Sequence, residues 1–424
     1  MDPAGARAPC PGLAARHPGP RLLRANGGSN ATADGAYGGR RYDGGGVRVV
    51  FYGHCSMISD RRHIARYDVL DFYRFAGAVI VAIVHYTNLY LPIADKVRQY
   101  VTYQLQPTMG FFFTLSGFVI MHVYAGRIAT ISEYGDYLKK RLARMYPLHI
   151  ATFLMAPFFA GLYFPDSILS NVLLIHAWDV TKHLSFNYPS WSVSAEFFVY
   201  LLFPIFYALM IALGRFTILF PLIFALILTI AFRALGLRDW NEVTYDFGCL
   251  RAVPSFVAGM LVYQLATQRF NKLKVPLSIA HGSTIATLPL MLSGVPAEIM
   301  LVAMAFVVFL LAKSEPHVPG ILSKPFPRAL ANSSYGFYLL HALVGPFIFG
   351  LAVKALHVAN GEMFAVVPVA IAATTALAIL SFQYFENPAR RFLSEVPFMK
   401  RNSSSSVRVT PSSETITDSR KARA

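Results

Sequence analysis

Long apolar runs recur along the central part of the chain, and only short polar stretches separate them. A helix that crosses the hydrocarbon core of a bilayer, about 30 Å thick, needs about 20 predominantly apolar residues. Ten runs come close to that length or exceed it, and they cover residues 67–91, 107–125, 146–164, 193–213, 216–235, 248–267, 276–294, 297–313, 331–353 and 362–384. The pattern predicts an all-α, polytopic membrane protein with about ten transmembrane helices. The segment 165–192 fits a re-entrant or interfacial piece, because its apolar part, residues 168–177, is short.

Composition supports the same class of protein. Of the 424 residues, 55% are hydrophobic and only 14% are Asp, Glu, Lys or Arg, whereas a soluble domain carries about 25% charged residues. The three cysteines are too few and too scattered for a disulfide framework or a structural metal site. We therefore expect no metal centre and no permanently bound cofactor.

The basic residues follow a side-specific distribution. With the N-terminus placed in the cytoplasm, Lys and Arg near the ten runs fall on the inner side about three times as often as on the outer side. This bias predicts that both termini are cytoplasmic. The net charge of +16 is then explained by orientation in the membrane, so the lipid bilayer, and no nucleic acid, is the expected partner.

Three segments of different composition follow one another along the chain. Residues 1–56 are rich in Gly, Ala, Arg and Pro, which is typical of a disordered tail. An alternative is that the natural protein begins at Met57, where the composition changes abruptly. Residues 57–400 form the predicted membrane domain, and the Ser-rich residues 401–424 are predicted to be a disordered tail.

The first run contains three ionisable residues, Asp71, Arg74 and His85. Such groups are costly inside a membrane and are functional candidates by default. Arg74 and His85 are eleven residues apart, which at ~100° and ~1.5 Å per residue places them on one helix face about 16 Å apart. Asp71 is positioned for an i,i+3 ion pair with Arg74. Both residues are expected to face one protein-lined chamber, although a snorkelling Arg and a hydrogen-bonded core His are the ordinary alternatives.

Two further motifs lie near the ends of runs. GFFFTLSGF contains Ser116 and Gly117, whose small side chains favour close helix packing. Arg141 and Arg144 are three residues apart in RLARMYP. They are interpreted either as an inner-face anchor or as a clamp for phosphate groups.

PSWSVSAEF opens the fourth run and contains Trp191. Ser192 or Ser194 is expected to cap the helix, and Glu196 is expected in its first turn, facing the dipole or a cavity.

Polar residues also occur in the later runs. Arg251 lies in the sixth run, and Tyr338 and His341 share a helix face in the ninth. Residues 386–388 are expected to end the last helix.

In this order, the motifs resemble those of integral-membrane acyltransferase family three, whose members mostly O-acylate carbohydrates at bacterial inner membranes. The resemblance runs from about residue 67 to 392. The matching sequences are LDFYRFAGAVIVAIVH from residue 70, GFFFTLSGF from 110, RLARMYP from 141, PSWSVSAEF from 189, SSYGFYLLH from 333 and FENPARR from 385.

The resemblance implies transfer of an acyl group, commonly acetyl, from acyl-CoA to a hydroxyl of a cell-surface carbohydrate or its lipid-linked precursor, at the bacterial cytoplasmic membrane. His85 is then the candidate base, Arg74 a donor-orienting or charge-stabilising group, and Glu196 a looser third catalytic candidate. Arg141 and Arg144 suit the phosphates of CoA. The supporting residues are Asp71, Ser116, Trp191, Ser192, Tyr338 and His341.

Several alternatives stay open at this point. Direct transfer and a covalent step on Ser116 or His85 both agree with the residues. The acceptor is alternatively a lipid or a small secondary metabolite. A transporter or flippase whose path is lined by Arg74 and His85 is the rival from another class, and the oligomeric state is undetermined.

Overall fold

The computed structural model describes residues 66–159, 161, 163–314 and 324–395. The predicted tails 1–56 and 401–424, and the alternative start at Met57, lie outside the described residues.

Within those ranges, the secondary structure is helical, and no strand occurs. The α-helices are α1 (Asp68–Tyr90), α2 (Asp95–Gln104), α3 (Thr108–Tyr124), α4 (Ile131–Phe159), α5 (Ile168–Val172), α6 (Trp191–Leu213), α7 (Phe220–Ala234), α8 (Gly248–Gln264), α9 (Leu277–Leu292), α10 (Ala297–Ser314), α11 (Pro325–Asn332), α12 (Ser334–Lys354), α13 (Val366–Ser381) and α14 (Asn387–Glu395). The all-α, polytopic membrane class is confirmed.

Each of the ten predicted runs coincides with one of these helices. In the described part of the chain, seven helical stretches are long and apolar enough to cross a membrane. One of them, Tyr188–Ala234, has 47 residues, about 70 Å at 1.5 Å per residue, which is more than twice the hydrocarbon core. It contains two of the predicted runs, as α6 and α7. Ten crossings and the cytoplasmic position of both termini stay predictions.

Helix α4 differs most from its predicted run, 146–164. It begins at Ile131 and ends at Phe159. Its first half carries Lys139, Lys140, Arg141 and Arg144, so a search for apolar runs excludes residues that are nevertheless helical.

Helices α3 and α8 pack along each other at two glycines. A Cβ atom on Gly117 would lie 1.9 Å from the carbonyl oxygen of Phe256, and one on Gly259 would lie 1.9 Å from that of Thr114. Side chains at these positions would keep the backbones apart. The prediction that GFFFTLSGF favours close helix packing is confirmed at Gly117.

The segment between α5 and α6 is irregular but largely buried. Leu174 and Phe186 have positive φ angles of 58° and 54°, and both are almost inaccessible. Buried polar side chains tie it to the neighbouring helices: Asn171 Nδ2 of α5 donates to Ser185 Oγ at 2.9 Å, and Asn187 Nδ2 donates to the Leu339 carbonyl of α12 at 3.1 Å. Irregular backbone in a membrane protein is tolerated where protein encloses it.

The expectation that residues 386–388 end the last helix is wrong. The chain continues from α13 through a π-helical turn, Phe382–Glu386, directly into α14. Pro388 follows this π-helical turn inside the continuing helix, where its missing N–H removes one backbone hydrogen bond without ending the helix. Helix α14 packs against α4.

Candidate active site

A cavity of about 630 Å³ lies among α1, α3, α4, α6, α12 and α14. Among the described residues, those that line it include six arginines but only two carboxylates. These are Arg66, Arg74, Arg141, Arg144, Arg390 and Arg391, with Asp71 and Glu196. A cavity surface with this excess of positive charge attracts anions.

Asp71 neutralises the part of the cavity contributed by α1. Arg74 Nη1 donates to Asp71 Oδ1 at 3.0 Å, which confirms the predicted i,i+3 pair. Arg66 Nε donates to Asp71 Oδ2 at 2.8 Å, and its Nη2 donates to Asn332 Oδ1 at 2.9 Å. One carboxylate therefore orients two of the six guanidinium groups.

Helix α4 brings Arg141 and Arg144 to the cavity one turn apart. Arg141 Nη2 donates to the Tyr124 hydroxyl at 3.1 Å, and its Cζ lies 5.1 Å from the centre of that ring. Arg144 is exposed and lines the cavity, and no residue that the structure describes forms a hydrogen bond or ion pair with it. The Arg144 guanidinium is thus free to bind an anion.

Helix α14 adds two arginines that sequence reasoning did not single out. Arg390 and Arg391 both line the cavity, and Arg390 Nη2 donates to Asn387 Oδ1 at 2.9 Å. The only available signal was their place in the closing FENPARR motif. The prediction that the last helix ends at residues 386–388 placed both arginines outside the helices, so the motif did not indicate that they line the site.

Ser116, Glu196 and Tyr200 form a hydrogen-bonded cluster on the cavity wall. The Ser116 and Tyr200 hydroxyls each donate to Glu196 Oε1 at 2.5 Å, and they lie 2.9 Å from each other. Glu196 is in the second turn of α6, not the first as expected, because the helix begins at Trp191. Tyr200 was missed, although its i,i+4 spacing from Glu196 predicts a shared helix face.

The expected capping roles of Ser192 and Ser194 are wrong. The residue before α6 is Ser190, and its side chain does not cap the helix. Ser194 Oγ instead donates to the Leu174 carbonyl at 2.8 Å and accepts from the Ala177 amide at 3.0 Å, which ties the irregular segment to α6. Ser192 lines the cavity, with its Oγ 2.9 Å from the Tyr338 hydroxyl.

Trp191 and Arg251 support the site without lining the cavity. The Arg251 Cζ lies 4.9 Å from the Trp191 ring centre. Arg251 also donates to the Gln106 carbonyl at 2.8 Å and to the Val243 carbonyl at 2.9 Å. The buried guanidinium therefore joins α8 to the segments before α3 and α8.

His85 is not among the residues that line the cavity. Its ring centre lies 4.9 Å from that of Tyr188 and 5.3 Å from that of His341. The His341 ring is in turn 5.8 Å from that of Tyr338, which does line the cavity. Tyr338 and His341 thus share a helix face, as predicted. Together they connect the arginine-lined cavity with the surroundings of His85.

The expectation that Arg74 and His85 face one chamber is wrong for this cavity. Of these two residues, only Arg74 lines it. The two residues share a helix face but are about 16 Å apart along it. Phe112 packs over the α1 surface between them, since a Cβ atom on Gly77 would lie 3.0 Å from Phe112 Cζ. A shared face therefore does not guarantee a shared cavity.

The fold and the cationic cavity among its helices define a multi-pass membrane protein with a surface that suits an anionic molecule. A family model described as an acyltransferase domain matches residues 67–382. The chain belongs to this integral-membrane acyltransferase family three, as the motifs predicted.

Two relatives show local similarity. Acyltransferase MdmB of Streptomyces mycarofaciens is 37% identical over 109 residues, which are 23% of this chain and 27% of that protein. Protein 2 in the picA locus of Rhizobium radiobacter is 36% identical over 101 residues, 23% of this chain and 48% of that protein. The alignments therefore span between a quarter and a half of these relatives. No solved structure matches the chain.

Proposed function

We propose that the protein is an O-acyltransferase that uses acyl-CoA, principally acetyl-CoA, to acylate a hydroxyl of a cell-surface carbohydrate or its lipid-linked precursor. Its proposed location is the bacterial cytoplasmic membrane. The observation that carries the proposal is the convergence of six arginines on one 630 Å³ cavity in a membrane acyltransferase. That volume lies within the range of about 300–1,000 Å³ that is usual for ligand pockets.

The arginines suit the donor. CoA carries several phosphate oxygens, and guanidinium groups bind phosphate with paired, charge-assisted hydrogen bonds. Arg144 is free to make such bonds, while Arg141 is already oriented by Tyr124. The distribution of basic residues along the chain supports an inner-side position for both, where cytosolic CoA is available.

The reaction joins the acceptor hydroxyl oxygen to the acyl carbon and breaks the thioester C–S bond. His85 takes the hydroxyl proton, and the proton balance is completed when CoA leaves as a thiol. Arg74 lies in the cavity about 16 Å along α1 from His85, so its proposed role is to orient the donor through the phosphate groups. Because Tyr338 lies between the cavity and the His85–His341 pair, the acyl end of the donor extends past Tyr338 to reach His85.

The Ser116–Glu196–Tyr200 cluster supplies a second point of contact inside the cavity. A carboxylate that accepts two hydroxyl hydrogen bonds holds both hydroxyls in place. Ser116 faces the donor cavity directly, so passage of the acyl group through Ser116 or His85 is the alternative to direct transfer. Mass spectrometry of protein mixed with isotopically labelled acetyl-CoA distinguishes these routes by the labelled residue.

The donor assignment is tested by CoA binding to the purified protein in detergent, measured by calorimetry. Arg144→Ala removes a charged contact worth about 1.5–3 kcal/mol, so affinity for CoA should fall about tenfold or more. Arg233→Ala is the matched control, because Arg233 is a largely exposed arginine at the end of α7 that does not line the cavity. Equal affinity in the two variants would exclude the proposed donor site.

The acceptor assignment is tested in cells. His85→Ala should abolish O-acetylation of surface glycan, measured by NMR of the isolated polysaccharide, while the variant still inserts into the membrane. Wild-type acetate content in the variant would contradict the role of His85. Acyl transfer by purified protein in detergent, where no gradient exists, would separate an enzyme from a transporter.

A further inference from the structure

His341 lies beside His85, outside the arginine-lined cavity, and the reaction described above does not use it. We propose that His341 is the positioning residue for His85: it accepts a hydrogen bond from one His85 ring nitrogen and leaves the other nitrogen as the base. The inference rests on the proposed role of His85 in acyl transfer and adds a second histidine to it.

The hydrogen bonds of His341 determine its tautomer. The side chain is completely buried on α12, and Nδ1 lies 2.5 Å from the backbone oxygen of Tyr338. A carbonyl oxygen can only accept, so Nδ1 carries the hydrogen, and in the neutral ring Nε2 is a bare acceptor. Nε2 is buried and has no hydrogen-bond partner in the described part of the protein. Buried polar atoms are nearly always paired, so this atom requires a donor.

His85 can supply that donor. The two ring centres are 5.3 Å apart, so a His85 ring N–H that turns toward His341 lies within hydrogen-bond distance of Nε2. His85 is half-buried, and no described residue is hydrogen-bonded to its ring. Nothing else in the described structure therefore selects which of its two nitrogens carries the hydrogen. A base whose tautomer is set by a neighbouring group is the general arrangement of acid–base catalysts.

The backbone is locked at the level of this pair. Tyr86, the residue after His85, donates from its hydroxyl to the backbone oxygen of His341 at 3.0 Å. The same hydroxyl lies 3.2 Å from Thr374 Oγ1 of α13. Tyr188, which lies just before α6, packs against the His85 ring with 4.9 Å between ring centres. These contacts fix the register of α1 against α12, so the two imidazoles keep their relative position.

Two neutral substitutions separate positioning from a purely structural role. In His341→Gln, the side-chain amide reaches the position of Nε2 and can accept from His85. In His341→Asn, the amide reaches only the position of Nδ1, so it preserves the bond to Tyr338 and loses the acceptor. Positioning predicts that Gln preserves function better than Asn, whereas a structural tie within α12 predicts the reverse order.

The primary measurement is ¹⁵N NMR of the His85 ring in the full-length protein in detergent, with the signals assigned from a His85→Gln sample. Wild type and His341→Gln should show one neutral tautomer, and His341→Asn should show exchange between two. A mixture of tautomers in the wild type would overturn the proposal without reference to any variant. Identical His85 spectra in all three proteins would also overturn it.

Turnover with labelled acetyl-CoA in membranes that contain the native acceptor gives a second readout. His341→Asn should lower kcat about tenfold or more, with the KM for acetyl-CoA unchanged, while His341→Gln stays within about threefold of wild type. Equal activity of the two variants, or higher activity of Asn, would contradict positioning. If the wild type transfers no acetyl group, the proposed function fails, and the NMR result still decides how His341 and His85 interact.

Discussion

The crossing of α3 and α8 allows a direct test of how backbone packing supports the site. A Cβ atom at Gly117 would lie 1.9 Å from the Phe256 carbonyl oxygen, while ordinary contact begins at 3.4 Å. Gly117→Ala thus requires the two helices to separate by about 1.5 Å. The obstacle is backbone, so no side-chain rotation relieves it.

The expected cost is large for the addition of one methyl group. Overpacking a well-packed core typically costs 1–3 kcal/mol, and a clash with backbone belongs at or above the upper end, about 3 kcal/mol. Ser116 precedes Gly117, so a displacement of α3 also disturbs its 2.5 Å hydrogen bond to Glu196 of α6. We therefore expect Gly117→Ala to lower both thermal stability and acyl transfer.

Thermal unfolding in detergent measures the stability effect. Gly350→Ala on α12 and Gly282→Ala on α9 are matched controls, because a Cβ atom at either position meets nothing within 4 Å. Alanine favours a helix by up to about 1 kcal/mol over glycine, so the controls should melt at or above the wild-type temperature and Gly117→Ala several degrees below it. A melting temperature for Gly117→Ala equal to that of the controls would refute the reasoning.

Two further substitutions test the polar contacts around the cavity. Glu196→Gln removes the negative charge that accepts hydrogen bonds from Ser116 and Tyr200, and a hydrogen bond to a charged group is worth about 1.5–3 kcal/mol. The kcat/KM with labelled acetyl-CoA should therefore fall about tenfold or more. A wild-type kcat/KM would exclude a role for the carboxylate. Trp191→Leu removes the aromatic face over Arg251, a contact worth about 0.5–2 kcal/mol. The variant should therefore melt at a lower temperature than Trp191→Phe, which keeps an aromatic ring. Equal melting temperatures would show that the contact between the ring and the Arg251 cation does not stabilise the protein.

Contacts within one helical turn were predictable. The Asp71–Arg74 ion pair follows from i,i+3 spacing alone, and the structure confirms it at 3.0 Å. Arg74 and His85 show where this reasoning fails. Helical periodicity predicts which face of α1 each residue occupies. It does not predict that Phe112 of α3 packs over Gly77 and separates the surroundings of Arg74 from those of His85.

Errors at helix ends had a different cause. Ser192 and Ser194 have the composition of caps, yet the buried segment before α6 uses Ser194 for its own backbone bonds. Proline is a common stop signal, yet Pro388 lies directly after a π-helical turn inside a helix that continues. A sequence rule for helix ends cannot predict which of two roles such a residue adopts when contacts with the rest of the protein select the role.

The sequence by itself determined the protein class and where the apolar helices lie along the chain, because backbone pairing inside lipid has to be satisfied within each segment. The order of its motifs determined the family. Only the tertiary structure decided which polar groups meet. Ser116 and Glu196 are 80 residues apart in the chain, and Arg144 shares its cavity with Arg390. Such meetings depend on where helices cross, and crossings are set by side-chain packing between helices, which the apolar pattern of a single helix does not specify.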